Sequence, residues 1–221
     1  MRHMRSGSRK NRASDPRRSR PDAPAQRIRT ISHWLLEVLQ EDIEKFESLL
    51  ETQDVDEWTD VEFKGTFDSW KENLAKAVSG FANTSGGLLV FGVDAKATHH
   101  LARRVASKPL DDLKHRVALV RDVISRAVED SLDVTPTPLA FESPSSISDS
   151  GYIAIDVPRS ERRPHIAKLG GLHRYYIRAG EEFVRMPHGI LRDMFSRAAE
   201  PRPTISLQIV SGGTRAVSIQ A

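Results

Sequence analysis

Apolar residues recur at helical spacing through Ile31, Leu35, Val38 or Leu39, Ile43, Phe46 and Leu49 or Leu50. The spacing predicts one amphipathic helix starting near Thr30, with Ser32 placed to cap it. Its opposite face is acidic, carrying Glu37, Glu41, Glu44, Glu47 and Glu51. The segment from Val55 to Lys64 ends in strict alternation, with Val61 and Phe63 on one side of a strand and Asp60, Glu62 and Lys64 on the other. After Gly65 a second helix is predicted from about Ser69 to Ala82, burying Trp70, Leu74, Val78 and Phe81. Asn83-Thr84-Ser85-Gly86-Gly87 reads as a turn, and Leu88–Val93 as a short buried strand.

Further along, 94–107 reads as a loop holding His99, His100, Arg103 and Arg104. Pro109 then opens a helix in which Leu110, Leu113, Val117, Val120, Ile124 and Ala127 or Val128 repeat. Leu139–Glu142 and Tyr152–Val157 read as strands of a hairpin. A basic loop follows, then a strand at Arg174–Arg178 and a helix opened by Pro187 that carries Leu191, Met194 and Phe195. Ile205–Val210 and Ala216–Ile219 flank Ser-Gly-Gly-Thr as a last hairpin. The order predicts an α+β (mixed α/β) domain, a mixed sheet flanked by helices, over residues 30–198, with a C-terminal hairpin extension at 199–221. Trp34, Trp58 and Trp70 are expected to pack in its core.

Charge divides the chain of 221 residues, whose net is only +3. Residues 1–30 hold ten Arg and Lys against Asp15 and Asp22, while the remaining 191 carry 23 basic and 28 acidic side chains. Residues 1–29 have almost nothing apolar to bury, so they are expected to be a disordered Arg-rich tail. Such an arm attracts phosphates by counterion release, or serves only to solubilise. The absence of cysteine excludes a disulfide scaffold, a thiol nucleophile and a thiolate metal site. No apolar run approaches the roughly 18 residues of a membrane span, and no apolar stretch follows the basic start as in a secretory signal. A soluble, cytoplasmic protein is the expectation.

Three acids stand out: Glu62, sharing a strand face with Lys64 before a Gly turn; Asp94, just after an apolar strand; and Glu57, five residues before Glu62 and able to reach the same edge across a bend. Carboxylates converging near a lysine suit a divalent-metal phosphodiesterase: hard oxygens hold Mg²⁺ or Mn²⁺ and the ammonium steadies the phosphate. Alternating Glu and Lys is equally the pattern of a solvated strand, and spacing alone leaves both readings open. His99-His100 lacks a third histidine at ligand spacing. There is neither a G-x4-G-K-[ST] nor a G-x-G-x-x-G for a nucleotide.

Val61-Glu62-Phe63-Lys64, then Ala77-Val78-Ser79-Gly80-Phe81-Ala82-Asn83-Thr84-Ser85-Gly86-Gly87-Leu88-Leu89-Val90-Phe91-Gly92-Val93-Asp94, resemble the signature of the Schlafen AlbA-type domain. Pro158-Arg159-Ser160 with Pro164-His165 agrees, as do Arg174-Tyr175-Tyr176-Ile177-Arg178-Ala179-Gly180 and Arg185-Met186-Pro187. The resemblance spans about residues 55–196, in order. It implies an AlbA-like fold that binds nucleic acid. In catalytic members it implies an endoribonuclease on structured RNA such as tRNA, with Mg²⁺ or Mn²⁺ held by an E-x4-E pair and the Asp after G-V. Those positions correspond to Glu57, Glu62 and Asp94, with Lys64 on the phosphate. Ala95 replaces the family's second Asp, and Arg162-Arg163 lengthen the P-S to P-H stretch. The alternatives are a non-catalytic DNA- or RNA-binding module of a transcriptional regulator and a divergent ATP-binding protein. Eukaryotic members embrace RNA with two such lobes, so a single-lobe chain is expected to form a homodimer.

Residues 156–197 carry nine Arg and Lys against five acids. Arg159, Arg162, Arg163, Arg174, Arg178 and Tyr176 are the candidate nucleic-acid contacts there, and Arg103 and Arg104 extend the strip.

Overall fold

The computed structural model describes residues 30–52, 58–96, 104–129, 132–144, 148–198, 204–208 and 216–220. Two helices, α1 (Ile31–Glu41) and α2 (Ile43–Thr52), stand where the apolar pattern predicts one. The break is at Asp42, whose φ of −154° is not helical and whose carboxylate accepts from Lys45 N at 2.9 Å, starting a new helix. Leu35, Val38, Leu39, Phe46 and Leu50 still form one buried seam across the break. The cap of α1 is Thr30 rather than Ser32. The Thr30 hydroxyl accepts from His33 N, while Ser32 N donates to Asp60 Oδ2 at 2.9 Å.

The centre is a four-stranded sheet of β1 (Val61–Lys64), β2 (Gly87–Phe91), β5 (Pro138–Glu142) and β6 (Gly151–Val157), in the order β1-β2-β6-β5. β1 and β2 are parallel, joined through α3 (Trp70–Asn83), and the other neighbours are antiparallel. Alternation along the strands builds two cores. Val61, Phe63, Leu88, Val90, Tyr152 and Ala154 face α1 and α2, whereas Leu89, Phe91, Ile153, Ile155 and Val157 face α3 and α4 (Leu113–Val123). Helices on both faces explain why β2 is buried at every position. Trp34, Trp58 and Trp70 lie half-buried against these cores.

Leu88–Val93 is not one strand. Gly92, at φ +98°, turns the chain out of the sheet, and β3 (Val93–Lys96) pairs instead with β4 (Arg104–Ser107). Asp94 therefore lies within a two-stranded ribbon, opposite Ala106, and not beyond a strand end. α4 starts four residues after Pro109, because Leu110 is held first in a bridge to Gly151 by hydrogen bonds of 2.7 and 2.9 Å. A separate small sheet, β7 (Ile166–Ala167), β8 (Arg174–Ala179) and β9 (Glu182–Arg185), packs on α3, and α5 (His188–Ala198) follows it. The hydrophobic pattern does not mark β7 or β9. β10 (Thr204–Gln208) and β11 (Ala216–Gln220) pair as an antiparallel hairpin. Among the described residues no helix is long and apolar enough to cross a membrane. The first 29 residues lie outside them.

Candidate functional site

Glu62 stands on the α3 face of β1, yet only 6% of it is exposed. It is covered by β8, whose Arg178 side chain is 2% exposed. Arg178 Nη1 donates to Glu62 Oε2, and Nη2 donates to the carbonyls of Trp58 and Val61 at 3.0 and 2.9 Å. Its guanidinium lies over the rings of Phe183 (4.6 Å) and Phe81 (5.6 Å). Lys64 Nζ pairs with the other oxygen, Glu62 Oε1. One carboxylate thus bridges two cations. The planar fork of an arginine suits this dry, multidentate position far better than a lysine would.

Glu62 and Lys64 open onto a cleft of about 330 Å³ that Asn73, Lys76, Glu181 and Glu182 also line. Asp94 does not line it. It sits against Gly65, so close that a β-carbon on Gly65 would fall 2.7 Å from that of Asp94. Glu57 lies outside the described residues. Among those described, no three His, Asp or Glu side chains gather to hold an ion. As placed, Glu62 holds one cation on each oxygen, so a divalent metal there would share Oε1 with the half-exposed Lys64 or displace it, while the buried Arg178 keeps Oε2.

Asn83, the last residue of α3, is 2% exposed and works as a polar hub. Its Nδ2 donates to the carbonyls of His165 and Tyr176 at 3.0 and 2.9 Å, and its Oδ1 accepts from His165 N at 2.7 Å. Ser79 Oγ adds a bond to the His165 carbonyl. The turn that follows uses Gly86 at φ +85°, and a β-carbon on Gly87 would strike the Phe81 ring at 2.3 Å. α3 is thereby fixed to both the central sheet and the segment from 160 to 176.

That segment carries the exposed cations. The side chains of Arg159, Arg162 and Lys168 are 50%, 69% and 53% exposed, and Arg174 is exposed too. Arg163 is half-buried, its Nη1 donating to Ser160 O. Tyr176 is buried at 5%, and Tyr175 is the half-buried tyrosine of the pair. Of Arg104 only the backbone is described, and Arg103, His99 and His100 lie outside the described residues. Arg162 pairs with Asp133 at 3.1 Å, Arg159 with Glu161 and Lys168 with Glu129 at 3.9 Å. Such solvated pairs contribute little and yield readily to a phosphate.

The bend at 160–162 has an acidic anchor. Asp133 accepts from Glu161 N and Ser160 Oγ, and these bonds, the backbone one first, hold its carboxyl below the ordinary 3.8. A depressed folded pKa contributes stability above the unfolded value and loses it as pH falls through the folded one. Carboxyl NMR titration is expected to place the Asp133 midpoint below 3.8, with the 160–162 amides losing exchange protection only in that acid range. A midpoint at or above 3.8 would refute the anchor.

The Schlafen, AlbA_2 family model matches residues 57–187, more than half of the chain. The chain belongs to the Schlafen AlbA_2 family. No curated protein matches it. Among solved structures it is similar to the N-terminal domain of a RecG-related protein from Nitrosomonas europaea, with 20% identity and a TM-score of 0.44. That match covers 64% of this chain and 94% of that one. It is also similar to the DIP2311 protein of Corynebacterium diphtheriae, at 20% identity and a TM-score of 0.43, covering 78% of this chain and 35% of that one. Two parts of this Schlafen AlbA_2 chain escape the sequence reading. Arg178 reads there as a surface phosphate contact, and Phe183 does not appear at all. Ala179-Gly180 was the available signal: a turn there sets Arg178 directly opposite Phe183 on β9.

Proposed function

We propose that this Schlafen AlbA_2 chain binds nucleic acid through the segment 159–174 and does so without cutting it. The observation that carries the binding is the exposure of Arg159, Arg162, Lys168 and Arg174 on a segment tethered to α3 by Asn83. Three of these cations have an acidic neighbour, Glu161, Asp133 or Glu129, and a denser group of acids lies elsewhere. Glu41, Asp42, Glu44 and Glu51 are exposed on α1 and α2, across the central sheet from α3. A phosphate backbone would meet less repulsion at the segment 159–174 than at α1 and α2. The no-cleavage half rests on Glu62, whose two oxygens are held by Lys64 and Arg178. The Mg²⁺- or Mn²⁺-dependent endoribonuclease of catalytic relatives is the competing reading, and one assay separates the two.

Purified chain is run on native and denaturing gels with total tRNA and with duplex DNA, each in Mg²⁺, Mn²⁺ or EDTA. The expected result is a retarded band of intact nucleic acid that weakens with salt. The double variant R162Q/R174Q is expected to flatten the salt dependence by about one unit of slope per arginine removed. EDTA-sensitive RNA fragments that vanish in E62Q would restore the nuclease. Absence of retardation at low salt would end the binding reading.

A further inference from the structure

In β8, Tyr176 and Arg178 face α3, so alternation sends Tyr175 and Ile177 to the outer side, where Val184 stands opposite Ile177. α5 reaches this outer side. Phe195 meets the Tyr175 ring edge to face, at 6.0 Å and 86°, and remains 50% exposed. A shallow groove of about 520 Å³ runs along the helix, lined by His188, Leu191, Arg192, Phe195 and Ser196. Those positions recur every three or four residues, so they form one stripe.

The stripe mixes one aromatic, one aliphatic, one arginine, one histidine and a hydroxyl. It is not the apolar seam that a second copy would require. Ile190, the other large apolar residue exposed on α5 among those described, at 40%, lies five positions before Phe195, roughly 140° around the helix. His173 and Arg174 are exposed at the start of β8, next to Tyr175. Asp193 is exposed on the same helix but does not line the groove. An exposed ring beside an arginine and a histidine matches the chemistry of a nucleobase with its phosphate, since stacking covers the ring, the arginine takes the charge and an imidazole N–H can donate.

The geometry points to the α5 groove as a stacking site for single-stranded nucleic acid, with an unpaired base on Phe195 and its backbone on Arg192 and His188. This deepens the nucleic-acid reading above and rests on it. A duplex keeps its base faces inside, so it meets the cations and gains nothing from Phe195. Unpaired loops or tails of a folded RNA supply both.

Fluorescence anisotropy of the full chain with a short labelled oligouridylate and a short RNA duplex tests this. Phe195→Ala is expected to weaken oligouridylate binding about tenfold, the scale of one lost base stack, and to change duplex binding less than about twofold. Phe195→Trp keeps the stack and is expected to restore oligouridylate affinity. Arg192→Gln weakens both probes and lowers the salt slope by about 0.7–0.9. Oligouridylate affinity unchanged in Phe195→Ala, or both probes weakened equally, overturns the proposal. So does sedimentation showing a dimer that Phe195→Ala dissociates. If the parent retards tRNA and duplex while Phe195→Ala changes nothing, the groove alone fails. If the parent binds no probe, the nucleic-acid reading fails with it.

Discussion

Replacing Arg178 with methionine is expected to lower the unfolding free energy by about 3–5 kcal/mol, because it leaves the buried Glu62 carboxylate with only the half-exposed Lys64 and takes the donor from two backbone carbonyls. Methionine keeps much of the volume between Phe81 and Phe183, so the loss reports charge and hydrogen bonds rather than a cavity. Three bonds disappear at once: one to Glu62 and two to the Trp58 and Val61 carbonyls. Adding Glu62→Gln to Arg178→Met removes the under-compensated charge and is expected to recover part of the loss. Urea titration of the two single variants and the double variant closes the cycle. A loss below about 1 kcal/mol in Arg178→Met, or a double variant no better than that single one, would show that the pair does not hold β8 to β1.

The second large effect is expected at Asn83. Asn83→Leu fills similar space but leaves the His165 amide and the Tyr176 carbonyl buried without that partner, at about 1–3 kcal/mol each. Ser79 still serves the His165 carbonyl, so only these two groups count and the total is about 2–6 kcal/mol. Asn83→Asp keeps an acceptor for His165 N but turns a carboxylate toward two carbonyls, so it is expected to destabilise as well. Because the basic segment hangs from this hub, both variants are also expected to bind tRNA more weakly at temperatures where they remain folded. Denaturation alongside gel retardation checks this. Full stability in Asn83→Leu would remove Asn83 from the account.

Which parts of this were legible beforehand follows from what periodicity encodes. Val61 and Phe63 alternate with Glu62 and Lys64, and β1 is where that pattern puts it. The family signature around Phe81–Asp94 gave the helix, the turn and the strand in order, and the family match agrees. Alternation says which residues share a side, though, and not what lies on that side. Glu62 reads as a metal ligand or a solvated residue and Arg178 as a nucleic-acid contact, because the two partners are 116 positions apart. The break at Asp42 was hidden for another reason: the apolar seam continues through it, and only the local bond to Lys45 N marks it. β9 is four residues behind a tight turn, too short for a hydrophobic pattern to declare itself.

The bonds from Arg178 to the backbone have an outcome for assembly. β1 is one margin of the central sheet, where unpaired carbonyls would otherwise invite another strand. An arginine from a different sheet occupies the Val61 carbonyl there. The opposite margin, β5, begins with Pro138, which has no N–H to offer. Each rim thus offers an incoming strand one backbone group fewer. The buried arginine therefore has a part at the sheet margin as well as in the interior.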